Sequence, residues 1–445
     1  MAARGSYRGV RYSGLTALAA LTTCFICLSF PAAARGGGVV QKWVRTYFET
    51  RGILHQANAV ATDAQGNVLV TGSGGTIKYS PQGRLLWERP DDGLNGTAIA
   101  LDGQANVHVT GSSAGAGTGT DYLTIKYSSD GELLWESRYH GTGNGKDCAR
   151  AIALDPQGNV YVTGYSDGGA GFYYDYATLK YNPDGALLWE GRYNGPGNGD
   201  DVARTIAVDR QGNAYVTGRS YSGSSHDFYT IKYDPNGREL WARRYAGLYY
   251  SGACAIAVDG QGFVYVTGIT EFDGHGTTVT IKYDTDGREL WVSLYRDPQL
   301  IIAGATALAL DRQGNVFITG RCDQKHAASL YLTVKYSPQG RQLWARFYGR
   351  GNLVARAIAV DGGGNVFITG NNDWEVVTVK YSSTGSELWA QHYIKEDYGS
   401  IASALSLDNR GNLYVTGTSG SVYLASDKYL TIKYYQFDGP RRLKP

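Results

Sequence analysis

One segment recurs eight times along this 445-residue chain: a run of alternating small and aliphatic side chains, a turn at an aspartate, and a second run closing on Thr-Gly. The turn aspartates are Asp63, Asp102, Asp155, Asp209, Asp259, Asp311, Asp361 and Asp408. The closing glycines are Gly72, Gly111, Gly164, Gly218, Gly268, Gly320, Gly370 and Gly417. A Lys-Tyr pair follows each, beginning at Lys78, Lys126, Lys180, Lys232, Lys282, Lys335, Lys380 and Lys433. Ala149–Tyr193 shows a whole unit, with four strand-like runs separated by turn residues. A unit of this kind cannot bury its apolar positions alone and must stack on its neighbours. The pattern predicts an all-β ring of four-stranded antiparallel blades, a β-propeller.

The fourth run carries a tryptophan only seven times in series, at Trp87, Trp135, Trp189, Trp241, Trp291, Trp344 and Trp389. The eighth unit reaches an Asp438-Gly439 turn with no such tryptophan after it. The missing strand is found at the other end, where Trp43 and Tyr47 have the spacing of Trp135 and Tyr139. The expectation is one domain over residues 39–439, eight-bladed and closed by an N-terminal strand completing the last blade, with a short tail at 440–445. Closure removes the open sheet edges that invite aggregation.

In the first run, Ala149, Ala151 and Ala153 alternate with Arg150, Ile152 and Leu154. Alternation puts small side chains on one face and bulky ones on the other, which suits the innermost, most crowded strand. The Asp-x-x-Gly-Asn turn reads as a hairpin held by its own aspartate. One carboxylate per turn falls short of the about six to eight oxygens that calcium takes. Eight equivalent lysines read as structural, each paired with its turn aspartate, and the evenly spaced tryptophans as packing between blades.

Residues 1–34 read as a secretory signal peptide: Arg4, Arg8 and Arg11 precede an apolar Leu15–Phe30, and Ala32–Ala34 offers small residues for cleavage. The expected location is secreted, periplasmic or cell-surface, with no membrane span after cleavage. Loss of those three arginines takes the formal charge from +2 to about −1. That balance excludes nucleic acid as a partner, which requires a concentrated basic face. Cys148, Cys254 and Cys322 lie in different units and form no disulfide framework. A monomer without cofactor or metal is expected.

Function is sought in the loops on the face opposite the aspartate turns, because these vary most between units. Tyr173, Tyr174, Tyr249, Tyr250 and Trp374 lie in them, with Tyr176, Tyr221 and His226 nearby. Their flat rings with polar tips suit a polysaccharide or protein ligand. Arg150, Arg204 and Arg356 share one strand position and are candidates for a cationic ring at the tunnel mouth, unless Asp147, Asp200 or Asp201 pairs with them. Asp121, Asp175 and Asp227 recur just ahead of the lysines, either lowering the charge of this face or serving as acids. Gly164-Tyr-Ser166-Asp-Gly168 spells a nucleophile elbow but lacks the strand, turn and helix that device needs. No catalytic residue is assigned.

The units, such as AIALDPQGNVYVTG followed by DYATLKYNPDGALLWE, resemble the bacterial beta-propeller repeat family known as SBBP. That resemblance implies a propeller, commonly in exported bacterial proteins, and no single activity. The family's name implies seven blades, from which the count of eight units departs. A weaker resemblance is to the quinoprotein propellers, through Gly131…Trp135, Gly185…Trp189 and Gly237…Trp241. The chain lacks the adjacent cysteine pair that many of those enzymes place against their quinone. The expected function is non-enzymatic recognition or scaffolding, for a surface polysaccharide or protein. The alternatives are a glycan-active enzyme using loop carboxylates and, behind it, a quinone-dependent dehydrogenase-like protein.

Overall fold

The computed structural model describes residues 38–437 except 48–54, 91–92, 116, 118, 170–172, 248–249, 273, 326–327, 350, 396–398 and 421–426. The expected signal peptide and C-terminal tail lie outside the described residues. Each unit folds as an antiparallel meander. In the third, Cys148–Leu154, Val160–Asp167, Tyr174–Tyr181 and Leu187–Tyr193 lie side by side in chain order. Val160 to Gly164 are buried on both faces, which explains why this run reads as nearly continuous apolar sequence. Neighbouring units cover its two sides.

The first strands pack against one another in sequence, and the last, Gly399–Leu407, returns to the first, Ala57–Thr62. The result is a propeller-like ring. Its N-terminal strand, Gly38–Tyr47, pairs antiparallel with Lys428–Phe437 from Gly38↔Phe437 to Tyr47↔Tyr429 and completes the last sheet, as expected.

Among the described residues the hydrogen-bonded sheets number seven, six of four strands and one of eight. Separate four-stranded sheets were expected throughout. The larger sheet arises because the strand Leu300–Leu310 is 11 residues long. Its early start meets the preceding unit in a parallel pairing, Gly276↔Ile302.

Blade-to-blade docking accounts for the tryptophans, lysines and turn glycines together. Trp135 Nε1 and Lys126 Nζ both donate to the Pro183 carbonyl of the next unit, at 2.9 and 3.1 Å. Gly185, in that same turn, has a φ of +88°, and a Cβ there would lie 2.6 Å from the Trp135 ring. The glycine of each Gly-x-x-x-Trp therefore serves the tryptophan of the preceding unit, not its own. The same contact closes the ring, with Trp43 Nε1 and Lys433 Nζ donating to the Pro81 carbonyl at 3.1 and 2.9 Å.

The turn aspartates are engaged as expected. Asp155 Oδ1 accepts the amides of Gln157 and Asn159 at 3.0 and 2.9 Å, and Oδ2 accepts Asn159 Nδ2 at 2.7 Å. Lysines also approach them, Lys78 to Asp63 at 3.2 Å and Lys126 to Asp102 at 3.5 Å. Tyr161, Tyr215, Tyr265 and Tyr414 add a hydroxyl donor to the aspartate of their own turns.

His108 stands at that tyrosine position in the second unit, fully buried, with Nε2 3.4 Å from Asp102 Oδ2 and Nδ1 lacking a partner. Burial pushes its pKa down from 6.5 to about 4. Above the unfolded value both states are neutral and stability is unaffected. As pH falls below 6.5 the unfolded chain takes a proton that the folded one refuses until about 4, so stability is lost across that window. The full effect is about 3 kcal/mol. His108→Tyr is expected to remove it: the stability gap between variant and parent, from denaturant midpoints, should widen in the variant's favour by about that amount from pH 7 to pH 4. A gap independent of pH would refute the assignment.

Candidate functional site

The mouth of the ring is built by a β-bulge repeated in every first strand. Ala149 pairs with Gly164 and Ala151 with Thr163, leaving Arg150 as the extra residue. This corrects the expected strict alternation, since the extra residue breaks the two-residue period between Ala149 and Ala151; Arg150 is exposed and Ala149 beside it fully buried. The bulge also explains Thr-Gly: a Cβ on Gly164 would overlap the Cys148 carbonyl and lie 2.8 Å from the Tyr122 hydroxyl. An extra residue next to a glycine re-aims the side chain that follows.

The bulge residues in chain order are Asn58, Thr97, Arg150, Arg204, Cys254, Thr306, Arg356 and Ser403. Four of them latch onto the next unit: Asn58 Nδ2 donates to Gly96 O at 2.8 Å, Thr97 Oγ1 to Ala149 O at 2.8 Å, Cys254 Sγ to Ala305 O at 3.1 Å, and Thr306 Oγ1 to Ala355 O at 2.8 Å. Burial pushes the Cys254 thiol up to about 12, so it stays protonated and donates. The three arginines make no such bond and remain exposed.

Arg150, Arg204, Tyr174 and two further residues, Arg219 and Tyr165, line a cavity of about 540 Å³ at this mouth. The Arg150 guanidinium lies over the Tyr165 ring, 5.3 Å from its centre. Tyr165 in turn meets Tyr174 with ring centres 4.6 Å apart. Arg219 Nη1 donates to the Tyr250 hydroxyl at 3.3 Å. Arg356 and Trp374 lie apart from these, in a second cavity of about 420 Å³ with Asp373, Asp427, Gln56 and Ser403. Trp374 is 55% exposed there. Gly399 makes room for it, since a Cβ would come 2.6 Å from the indole.

Asp373 and Asp427 share the second cavity with Arg356, but the acids nearest Arg150 and Arg204 are engaged elsewhere. Asp147 Oδ1 accepts the Asp167 amide at 2.9 Å, and Asp201 accepts the amides of Gly195 and Tyr221 at 2.6 and 3.0 Å. Burial raises the pKa of both carboxyls, against the lowering effect of these hydrogen bonds. Asp200 Oδ1 accepts the Tyr174 amide at 3.3 Å. Asp175 pairs with Arg192 at 2.8 Å and Asp227 with Arg244 at 2.9 Å. Those two arginines also donate to Tyr139 and Tyr193 of the preceding unit, so Asp175 and Asp227 tie units together. Among the described residues Arg150, Arg204, Arg219 and Arg356 form no ion pair.

Of the other sequence candidates, Tyr173 is 51% exposed and outside both cavities, and Tyr249 lies outside the described residues. Tyr176 is fully buried and donates to the Tyr229 carbonyl, so it is packing and not surface. Arg219 and Tyr165 were not among the candidates. Each directly follows a Thr-Gly, and that position, next to the bulge, is the signal that would have found them.

A propeller-like ring with an arginine-lined mouth is thus the class of protein on view. The sequence profile described as Beta-propeller repeat, SBBP, matches residues 137–172 and 192–224. Among solved structures, one titled "Structure of Dos1 propeller" has a TM-score of 0.56 at 9% identity, over 87% of this chain and 95% of that one. "Crystal structure of RRP9 WD40 repeats" matches with a TM-score of 0.47 at 11% identity, over 89% and 100%. A protein of unknown function from Bacteroides caccae matches with a TM-score of 0.36 at 15% identity, over 66% and 94%. No curated protein matches. The Dos1 likeness is one of fold alone. The Gly-x-x-x-Trp spacing that resembled the quinoproteins is accounted for by blade docking.

Proposed function

We propose that this is an exported recognition module whose loop-end mouth binds a cell-surface polysaccharide or protein without transforming it. The observation that carries the reading is the pair of open cavities lined by aromatic rings and by arginines that form no ion pair among the described residues. Such surfaces bind by stacking and hydrogen bonding. The buried carboxylates Asp147 and Asp201, which a glycan-cleaving enzyme would have to deploy toward a substrate, hold loop amides instead.

The ring on which the mouth sits is read as eight-bladed. Three features support this: eight sequence units, first strands that neighbour each other cyclically, and an eight-stranded sheet joined, among the described residues, by the single pairing Gly276↔Ile302. Residues Ser251–Tyr295 and Leu300–Tyr348 then form two adjacent blades.

The test is retention on immobilised bacterial and plant polysaccharides, with release of soluble sugar assayed on the same samples. Retention without release is expected, weakened at least tenfold by Trp374→Ala, about 1.4 kcal/mol. Steady release of product by the purified protein would overturn the non-enzymatic reading.

A further inference from the structure

We infer that the cavity lined by Arg150, Arg204 and Arg219 is an anion subsite whose ligand is a uronate-bearing oligosaccharide, held through its carboxylates; this deepens the recognition function proposed above and rests on it. Three guanidinium groups share one cavity of about 540 Å³, a size within the roughly 300–1,000 Å³ of small-ligand sites. None of the three has an acid partner among the described residues, although acids abound nearby and are drawn into loop and inter-unit bonds. Like charges gathered without a counterion repel one another, and an anion that enters relieves that repulsion.

One orphaned donor belongs to the lining of the same cavity. Arg219 Nε is buried with no hydrogen-bond partner even though Nη1 of the same group reaches Tyr250. Buried donors left unsatisfied are uncommon in folded proteins, and a ligand is one of the things that satisfies them.

The chemistry of the lining selects the class of anion. The planar guanidinium matches a carboxylate in a two-point fork, which an ammonium does not offer. Arg150 is already oriented by the Tyr165 ring, so little freedom is lost when it bonds. Tyr165 and Tyr174, in the same cavity, offer flat apolar surface of the kind that meets a sugar ring. Arginine forks and aromatic faces together fit an acidic sugar better than a bare oxyanion.

The experiment is calorimetric titration of the mature protein with tri-galacturonate, its methyl ester, neutral galactotriose, and sulfate or phosphate alone. The expected result is tri-galacturonate binding at least tenfold tighter than its ester, weakening as salt is raised. Arg150→Ala and Arg204→Ala should each lose a further tenfold. Both side chains are exposed, so the variants should keep the parent's circular dichroism and melting profile. Arg210→Ala, at the aspartate-turn end, should bind as the parent does.

Equal binding of acid and ester would overturn this inference and leave the recognition reading standing. Binding of sulfate or phosphate with no preference for the uronate would mark a simple oxyanion site and overturn the sugar assignment. No binding of any probe by the folded protein would overturn the subsite. The recognition reading would then be decided separately, by retention on neutral polysaccharides and its loss in Trp374→Ala.

Discussion

Deletion of Gly38–Tyr47 is expected to open the ring and yield soluble oligomers or aggregate in place of the parent's single species. The strand pairs along Tyr429–Phe437, and without it a row of backbone donors and acceptors faces water as a template for another chain. It also carries Trp43, which sits over Gly83 and donates to the Pro81 carbonyl, and Arg45, whose Nε donates to the Gly83 carbonyl at 2.6 Å. Trp43→Ala removes the packing but keeps the pairing, and should cost about 3–5 kcal/mol. Size-exclusion profiles and denaturant midpoints read the two effects separately. A deletion variant that elutes and melts with the parent would show that the last sheet closes without its N-terminal strand.

Gly164→Val is expected to be at least as damaging as the loss of the Trp43 side chain. The new Cβ would overlap the Cys148 carbonyl, which belongs to the bulge pairing itself, and would crowd the Tyr122 hydroxyl that donates to the Ala177 carbonyl of this unit. Backbone and an inter-unit bond must move together. A loss of at least about 4 kcal/mol, or failure to fold, is the expected outcome. Gly103→Val supplies the contrast, because nothing lies within 4 Å of a Cβ there. Its stability should stay within about 0.5 kcal/mol of the parent. Near-equal stability of the two variants would remove the bulge from the account of Thr-Gly.

The candidate site was only half legible. Arg150, Arg204 and Arg356 announced themselves by sharing one repeat position, but their separation into two cavities did not. The pairing of Asp175 with Arg192 and of Asp227 with Arg244 spans strands whose register no local pattern prints. Tyr176 shows the opposite error. Named among the aromatics near the loops, it lies fully buried on a third strand of which only the first residue, Tyr174, is not buried.

Repetition made the architecture readable from the chain alone. Eight copies of one pattern average out local ambiguity, and a unit with four apolar runs has few ways to bury them except against its neighbours. The N-terminal strand was legible for the same reason, because Trp43 and Tyr47 fill a vacancy in an otherwise regular series. What only tertiary structure decided was the bulge. A single extra residue in each first strand leaves the sequence pattern almost unchanged, yet it sets which side chain leaves the blade and faces the mouth. That outcome depends on the close approach of two backbones at Gly164, Gly218 and Gly370, a contact between strands that no spacing within one strand encodes.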